Sequence, residues 1–261
     1  MYKLQFKVSE HVLTVRTDSN RIMAFFQSPD WSRLRINHTD TDLTVYIELG
    51  YGKPFVDFNV ESKCSEKGIT FCRTDYKIEI DPALREADIY VFDEFALKHA
   101  LMNLYSTFIV HNQWGLLVHS SCVAQHDRAF LFTGHSGAGK STAARLSDPR
   151  PILSDEATII KIDSGEARVF DSPFRSEIIT PGLEESRKLA GIHLLEQSPR
   201  NNRKRLKKAD GMLQMMDKIF YWPHHAGDTH NTFVLCRKLA DAVPIYNLEF
   251  KKESSFWEEI S

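Results

Sequence analysis

Nine consecutive residues, Gly134-His135-Ser136-Gly137-Ala138-Gly139-Lys140-Ser141-Thr142, have the types and spacing of a phosphate-binding loop, G-x-x-x-x-G-K-[ST]. Glycine tolerates backbone angles closed to other residues, so such a loop can curl until successive main-chain N–H groups point at anionic oxygens. A helix starting directly behind it adds partial positive charge at the same point. In that frame Lys140 is placed to reach the β- and γ-phosphates of a nucleoside triphosphate, and the Ser141 hydroxyl to ligate a magnesium ion bridging them. The surroundings agree: Ala129-Phe130-Leu131-Phe132 reads as a buried strand entering the loop, and Ala143-Ala144-Arg145-Leu146 as the start of a helix leaving it. Kinases, hydrolases and switches all use this loop, so the reaction must be read from other residues.

Magnesium takes a near-octahedral shell of oxygens, and the loop supplies only part of it. Asp155-Glu156, directly after the apolar Ile152-Leu153, is the pair that a short strand would deliver beside the loop. In a kinase, one of two adjacent acids can hold the metal while the other aligns the attacking hydroxyl. His119, fifteen residues before the loop, falls on the strand expected to lie next to the one entering it. The run Arg200, Arg203, Lys204, Arg205, Lys207 and Lys208 places six charges in nine positions. It reads either as a solvated face or as the source of one arginine, Arg203 or Arg205, that pairs two oxygens of a transferring phosphoryl group. Arg175 and Glu177, after Ser172-Pro173, are candidates for the border of a substrate channel. His224, His225 and His230 with Asp228 match no familiar metal-site spacing and read as loop residues. Cys64, Cys72, Cys122 and Cys236 lack C-x-x-C spacing and read as reduced thiols.

The elements that must position these residues fall into two parts. Residues 1–92 are strand-rich, with strands expected around Leu4-Phe6, Val12-Val15, Leu43-Leu49, Phe55-Val60, Ile69-Cys72, Tyr76-Ile80 and Ile89-Phe92. Asp18-Ser19-Asn20 and Asn37-His38-Thr39-Asp40 read as turns between them. From Asp93, an expected N-cap, apolar residues recur at helical spacing to about Val110. Residues 93–261 then read as an α/β domain. Strands are expected at Leu116-Val118, Cys122-Ala124, Ile152-Ile160, Ala167-Phe170 and Pro244-Phe250, and helices at Ala209-Phe220, Phe233-Leu239 and Ser254-Ile260. Pro149 and Pro151 require the helix behind the loop to stop within about two turns. The chain has 261 residues and a net charge of -2, which disfavours nucleic acid as a partner. It has no apolar run long enough to cross a membrane and no signal-peptide segment at its start, so the sequence reading assigns it to the cytoplasm.

The run from Gly115 to Ile160 resembles the catalytic core of the HPr kinase/phosphorylase family and its shorter bacterial relatives, including those of peptide-modifying gene clusters. In that family a histidine opens a hairpin, the second strand enters a loop of the type G-x-S-G-x-G-K-S, and a later strand ends in two acids. Here these are His119, Gly134 to Ser141, and Asp155-Glu156, with Glu where the family has a second Asp. Val169 to Glu177 and Val243 to Leu248 extend the likeness more weakly. The resemblance implies a P-loop domain of the HPr-kinase-like, PEP-carboxykinase-like type, here with a β-rich N-terminal domain. It also implies ATP- and Mg2+-dependent phosphorylation of a serine hydroxyl on a protein or peptide, a modified-peptide precursor among the options. By the same likeness Asp155 is the base, Glu156 or Asp155 the metal ligand, and His119 a neighbour of the reacting phosphate. A small-metabolite kinase and a nucleotide-gated peptide-binding module stay open as alternatives, as does assembly into a homo-oligomer.

Overall fold

The computed structural model describes residues 1–37, 40–178 and 180–260; the expected turn residues His38 and Thr39 lie outside this set. The chain is mixed α/β, and its described residues form two eight-stranded sheets in two compact units. The first unit comprises Met1–Phe108 and Tyr221–Thr229, and the second Ile109–Phe220 and His230–Ser261. The division thus falls inside the helix that begins after Asp93, and a short later segment returns to the first unit.

In the first unit the strands are β1 (Tyr2–Val8), β2 (His11–Thr17), β3 (Arg35–Ile36), β4 (Leu43–Leu49), β5 (Glu61–Ser65), β6 (Gly68–Arg73), β7 (Tyr76–Ile80) and β8 (Glu86–Val91), in the order β3-β1-β2-β4-β8-β7-β6-β5. Alternating burial along β6 to β8 is the period-two pattern of a sheet with one face on a core. Two helices, α1 (Asn20–Phe26) and α2 (Pro29–Ser32), stand where the sequence suggested only a turn. Ser19 is an N-cap whose hydroxyl accepts the Ile22 N–H at 3.3 Å, and Phe6, Phe26 and Trp31 then pack with ring centroids 5.0 to 5.3 Å apart. Phe55-Val60 is not a strand. Asp57 makes a local turn by accepting the Asn59 N–H, and the Phe55 ring packs against the guanidinium of Arg73, which is ion-paired with buried Asp75 at 2.6 Å. Helix α3 (Glu94–His111) is capped as expected, the Asp93 carboxylate accepting the Ala96 N–H at 2.9 Å.

The second unit holds β9 (Gly115–Gln125), β10 (Arg128–Thr133), α4 (Lys140–Arg145), β11 (Ile152–Ser154), β12 (Ala157–Asp163), β13 (Glu166–Phe170), β14 (Arg187–Gln197), β15 (Asn202–Arg205), α5 (Lys208–Met216), β16 (Ile245–Phe250) and a 3-10 turn at Ser254–Glu259. Helix α6 (Ala226–Ala242) is longer than the expected Phe233-Leu239. Strand β14 was not expected. Its Leu189-Ala190-Gly191-Ile192-His193-Leu194-Leu195 stretch is nearly unbroken apolar sequence, as in a strand covered on both faces. It pairs in parallel with both β10 and β16, while the path β10-β9-β12-β13-β14 runs antiparallel, so these five strands close on themselves. Below the loop that leaves β10, Ala138, Ala143 and Ala144 present only methyl groups to Phe132, Phe250, Phe256 and Trp257. No helix among the described residues is long and apolar enough to cross a membrane.

His193 sits in this core with no exposure, donating from Nδ1 to the Leu131 carbonyl at 3.3 Å and stacked on Tyr246 at 5.4 Å. Burial, with Arg203 nearby, pushes its imidazole down to about 3. Between its ordinary 6.5 and about 3 the unfolded chain therefore binds a proton that the folded chain refuses, and stability falls as pH falls through that window. Urea unfolding followed by tryptophan fluorescence should show a midpoint that drops from pH 7 to pH 4.5, and His193→Phe should flatten the drop by up to about 1.4 kcal/mol per pH unit.

Candidate functional site

Strand β9 sets the level of the site. It pairs with β10 so that Ser120 faces Thr133, and with β12 so that His119 faces Ala157. The loop after β10 and the acids before β12 therefore both emerge beside His119. The Thr133 hydroxyl donates to the His119 carbonyl at 2.7 Å, the Ser120 N–H to the Glu156 carbonyl at 3.0 Å, and the Ser121 hydroxyl to the Lys140 carbonyl at 2.7 Å. These contacts tie the strand to the loop on one side and the acids on the other.

The loop has the shape its glycines permit. Gly137 and Gly139 lie at φ +78° and +106°. A Cβ on Gly134 would stand 2.9 Å from the Ala138 methyl, and one on Gly139 would stand 3.1 Å from the Phe250 ring. A Cβ on Gly137 would meet nothing within 4 Å, so at that position the angle alone demands glycine. The main-chain N–H groups of Ser136, Gly137 and Gly139 make no hydrogen bond among the described residues, whereas that of Ala138 donates to the His135 carbonyl at 3.1 Å. Lys140 curls back, its Nζ donating to the Gly134 and His135 carbonyls, both at 3.2 Å. Helix α4 has only six residues, so its dipole adds less than the sequence reading assumed. The positive character here comes from the loop N–H groups and Lys140.

A hollow of about 320 Å³ is lined by His119, Ser136, Gly137, Gly139, Lys140, Ser141, Thr142, Asp155, Glu156, Ser176 and Lys252. It unites His119, both acids and most of the loop; Ala138 is buried beneath, and His135 turns to a neighbouring hollow. Lys140 is 9% exposed, and burial with Lys218 nearby pushes its ammonium down. Burial, with Lys140 and Lys218, lowers the His119 imidazole to about 4, so the ring is neutral at neutral pH.

The acids differ in their surroundings. Asp155 is 3% exposed. Its Oδ1 accepts the Ser176 N–H at 3.0 Å, and its Oδ2 accepts the N–H groups of Glu177 and Ile178, each at 2.8 Å. A carboxylate offers about four acceptor positions, so Oδ2 is filled and Oδ1 keeps one. The wall from Asp171 to Ile178 is fastened again by Arg175. Its guanidinium donates to the Ser172, Ile152 and Leu153 carbonyls and pairs with Asp171 at 2.6 Å. Arg175 is thus a buried fastener rather than a channel-lining residue, and Glu177 pairs with Arg145 on the exposed surface.

Arg203 and Arg205 do not line this hollow. Arg203 lies 3.6 Å over the Tyr246 ring and donates to the Glu259 and Ile260 carbonyls, which holds the chain's last turn against β15. Arg205 follows on the same edge strand and borders a small hollow with Lys208 and Asp241. An arginine at one strand position has a fixed reach, and β15 lies next to β16, off the β9 side of the sheet. His224 bonds Asp228 at 3.0 Å and the Trp222 carbonyl, a local tie within the first unit. Two lining residues carry no role in the sequence reading: Ser176, which lies within the stretch of weaker likeness at residues 169–177, and Lys252, which belongs to no motif.

A family model described as SynChlorMet cassette protein ScmC matches residues 84–261, and the chain belongs to this family. A search of curated proteins finds no match.

The two fastenings of the wall carry different expectations. Arg175→Met breaks a buried pair and should lower stability by about 3 kcal/mol, while Glu177→Gln removes an exposed partner and should change it by less than about 1 kcal/mol. Urea unfolding of both variants checks the order, and equal losses would contradict it.

Proposed function

We propose that this ScmC-family chain is an ATP-dependent kinase of the HPr-kinase-like group that transfers the γ-phosphoryl group to a serine hydroxyl of a protein or peptide. The observation that carries the reading is the convergence, in one hollow, of a curled loop with unpaired N–H groups, Lys140, Ser141 and the Asp155-Glu156 pair. The loop donors and Lys140 suit the phosphate chain of the nucleotide. Ser141 with Glu156 or Asp155 offers only oxygen donors, as magnesium requires. The described residues contain no group of three His, Cys, Asp or Glu that could hold an ion unaided, so phosphate oxygens and water would complete its shell. When bound, magnesium neutralises charge on the phosphates.

In the transfer, the bond between the γ-phosphorus and the bridging oxygen breaks, with its electron pair left on ADP, while the serine Oγ bonds to phosphorus and its proton leaves to a carboxylate. Asp155 Oδ1 is the proposed acceptor, because three main-chain donors fix the carboxylate, Oδ1 receives only one of them, and Asp155 lines the hollow. A phosphoryl transition state of loose character asks for alignment more than for a strong base. Neutral His119 beside the loop adds no charge of its own. The proposed acceptor is a product of a neighbouring gene, a reading supported only by the family's description as a cassette protein. An ATP-dependent reaction and unpaired thiols fit a cytoplasmic setting.

Incubation with labelled ATP, magnesium and seryl peptides should yield phosphopeptide. Lys140→Ala should abolish transfer, and Asp155→Asn should keep ATP binding while lowering turnover by about 100-fold or more. Phosphorylation of small metabolites alone would move the reading to a metabolite kinase. Tight ATP binding with no phosphorylated product from any acceptor would move it to a nucleotide-gated binding module.

A further inference from the structure

A second hollow, of about 480 Å³, opens against Gly134 and His135, the two residues whose carbonyls receive Lys140 Nζ. Lys218 and Asp217, in the segment that follows α5, line it together with Gln214 of that helix. The main chain fixes Lys218 closely. Its carbonyl accepts the His119 N–H at 2.7 Å, its own N–H donates to the Met215 carbonyl at 2.9 Å, and the next two residues continue along β9 through the Ile219–Val118 bridge and the Phe220 N–H to the Leu117 carbonyl at 2.9 Å. The strand that levels the site thus also carries this lysine to the loop.

The Lys218 side chain is only 15% exposed, and its Nζ meets the Asp217 carboxylate at 2.5 Å, although the Asp217 side chain is 70% exposed. Lys218, on a hollow bordered by Gly134 and His135, and Lys140, whose Nζ bonds the carbonyls of those two residues, are two cations brought to one end of the loop partly out of water, and like charges so placed repel. An anion between them would relieve it. The loop already supplies donors for such an anion at Gly137 and Gly139.

We propose that Lys218 is a second cationic contact for the terminal phosphate of the nucleoside triphosphate, with Asp217 as the counter-ion that it gives up when the nucleotide binds. This rests on the nucleotide reading above and deepens it. The added contact favours a triphosphate over a diphosphate, because only the former places charge at the far end of the loop. It is a specificity-determining role, distinct from that of Lys140, which also bonds the loop's own carbonyls.

The test is calorimetric titration of Mg-ATP and Mg-ADP into the full chain and its variants. Lys218→Met should weaken ATP binding by about 10-fold or more and ADP binding far less, since a charge-assisted contact is lost from the γ-phosphate alone. Lys218→Arg should restore most of the ATP preference. Asp217→Asn, a change at an exposed side chain, should tighten ATP binding by about two- to threefold, the opposite sign from Lys218→Met and a readout independent of whether the latter folds. If the parental chain binds ATP but Lys218→Met weakens ATP and ADP equally, or Asp217→Asn weakens ATP, the inference falls and the nucleotide reading stands. If the parental chain binds neither nucleotide, both fall.

Discussion

Everything at the site depends on the ladder that β9 makes with its neighbours. One strand pairs with β10, β11 and β12, and its His119–Ser120 step meets the end of β10 and the start of β12 at the same height. A shift of one residue in either pairing would turn the alternate side chains to the other face and separate the loop from the acids. Specific partners guard against that shift. β9 is buried on both faces, and a slip would leave the Ser120 hydroxyl without Thr158 Oγ1 at 2.7 Å and the Ser121 hydroxyl without the Lys140 carbonyl at 2.7 Å, both with no exposure to water.

The loop depends on that frame in turn. Its curl is compatible only with glycine at two contact points and one angle, and its underside rests on alanine methyls that allow close approach to the aromatic core. The aromatic floor of Phe132, Phe250 and Phe256, with rings 5.1 to 5.6 Å apart, is close-packed beneath the loop. Preorganised donors need no rearrangement when charge arrives, which is where electrostatic stabilisation is most effective. The cations around the loop are costly to hold together by themselves. Lys140 and His119 are both pushed toward their neutral forms, by burial first and by neighbouring cations second.

How much of this was legible in the sequence follows from how local each signal is. The loop at residues 134–142 is a contiguous motif, and glycine spacing with a following lysine implies its curl. His119 and Asp155-Glu156 were legible because a hairpin and a short strand carry them, and strand periodicity survives in the sequence. Strand β14 was hidden by being covered on both faces, which erases the alternation that marks half-buried strands. Arg203 misled because six charges in nine residues look like a solvent-facing patch whatever each one touches, and its stacking on Tyr246 is a long-range contact. The Ser19 cap looks like a turn in the sequence because serine, aspartate and asparagine serve both. Lys218 left no mark, since what matters is the main-chain bridge that its neighbours make to β9.

The engagement of Asp155 bears on what kind of acid the site needs. Three N–H groups converging on one carboxylate hold its charge in place and orient it, and the same bonds draw Ser176 to the hollow's edge. A freely rotating base would have to be brought into line at the moment of reaction, at an entropic cost that a fixed one has already met during folding. In the proposed transfer little bond formation to the nucleophile is complete in a loose phosphoryl transition state, so alignment of the hydroxyl matters more than early removal of its proton. The arrangement therefore supplies position. The wall from Asp171 to Ile178, fastened by Arg175 below and by Asp155 at its end, becomes part of the proposed catalytic apparatus although none of its side chains carries a reactive group in the transfer.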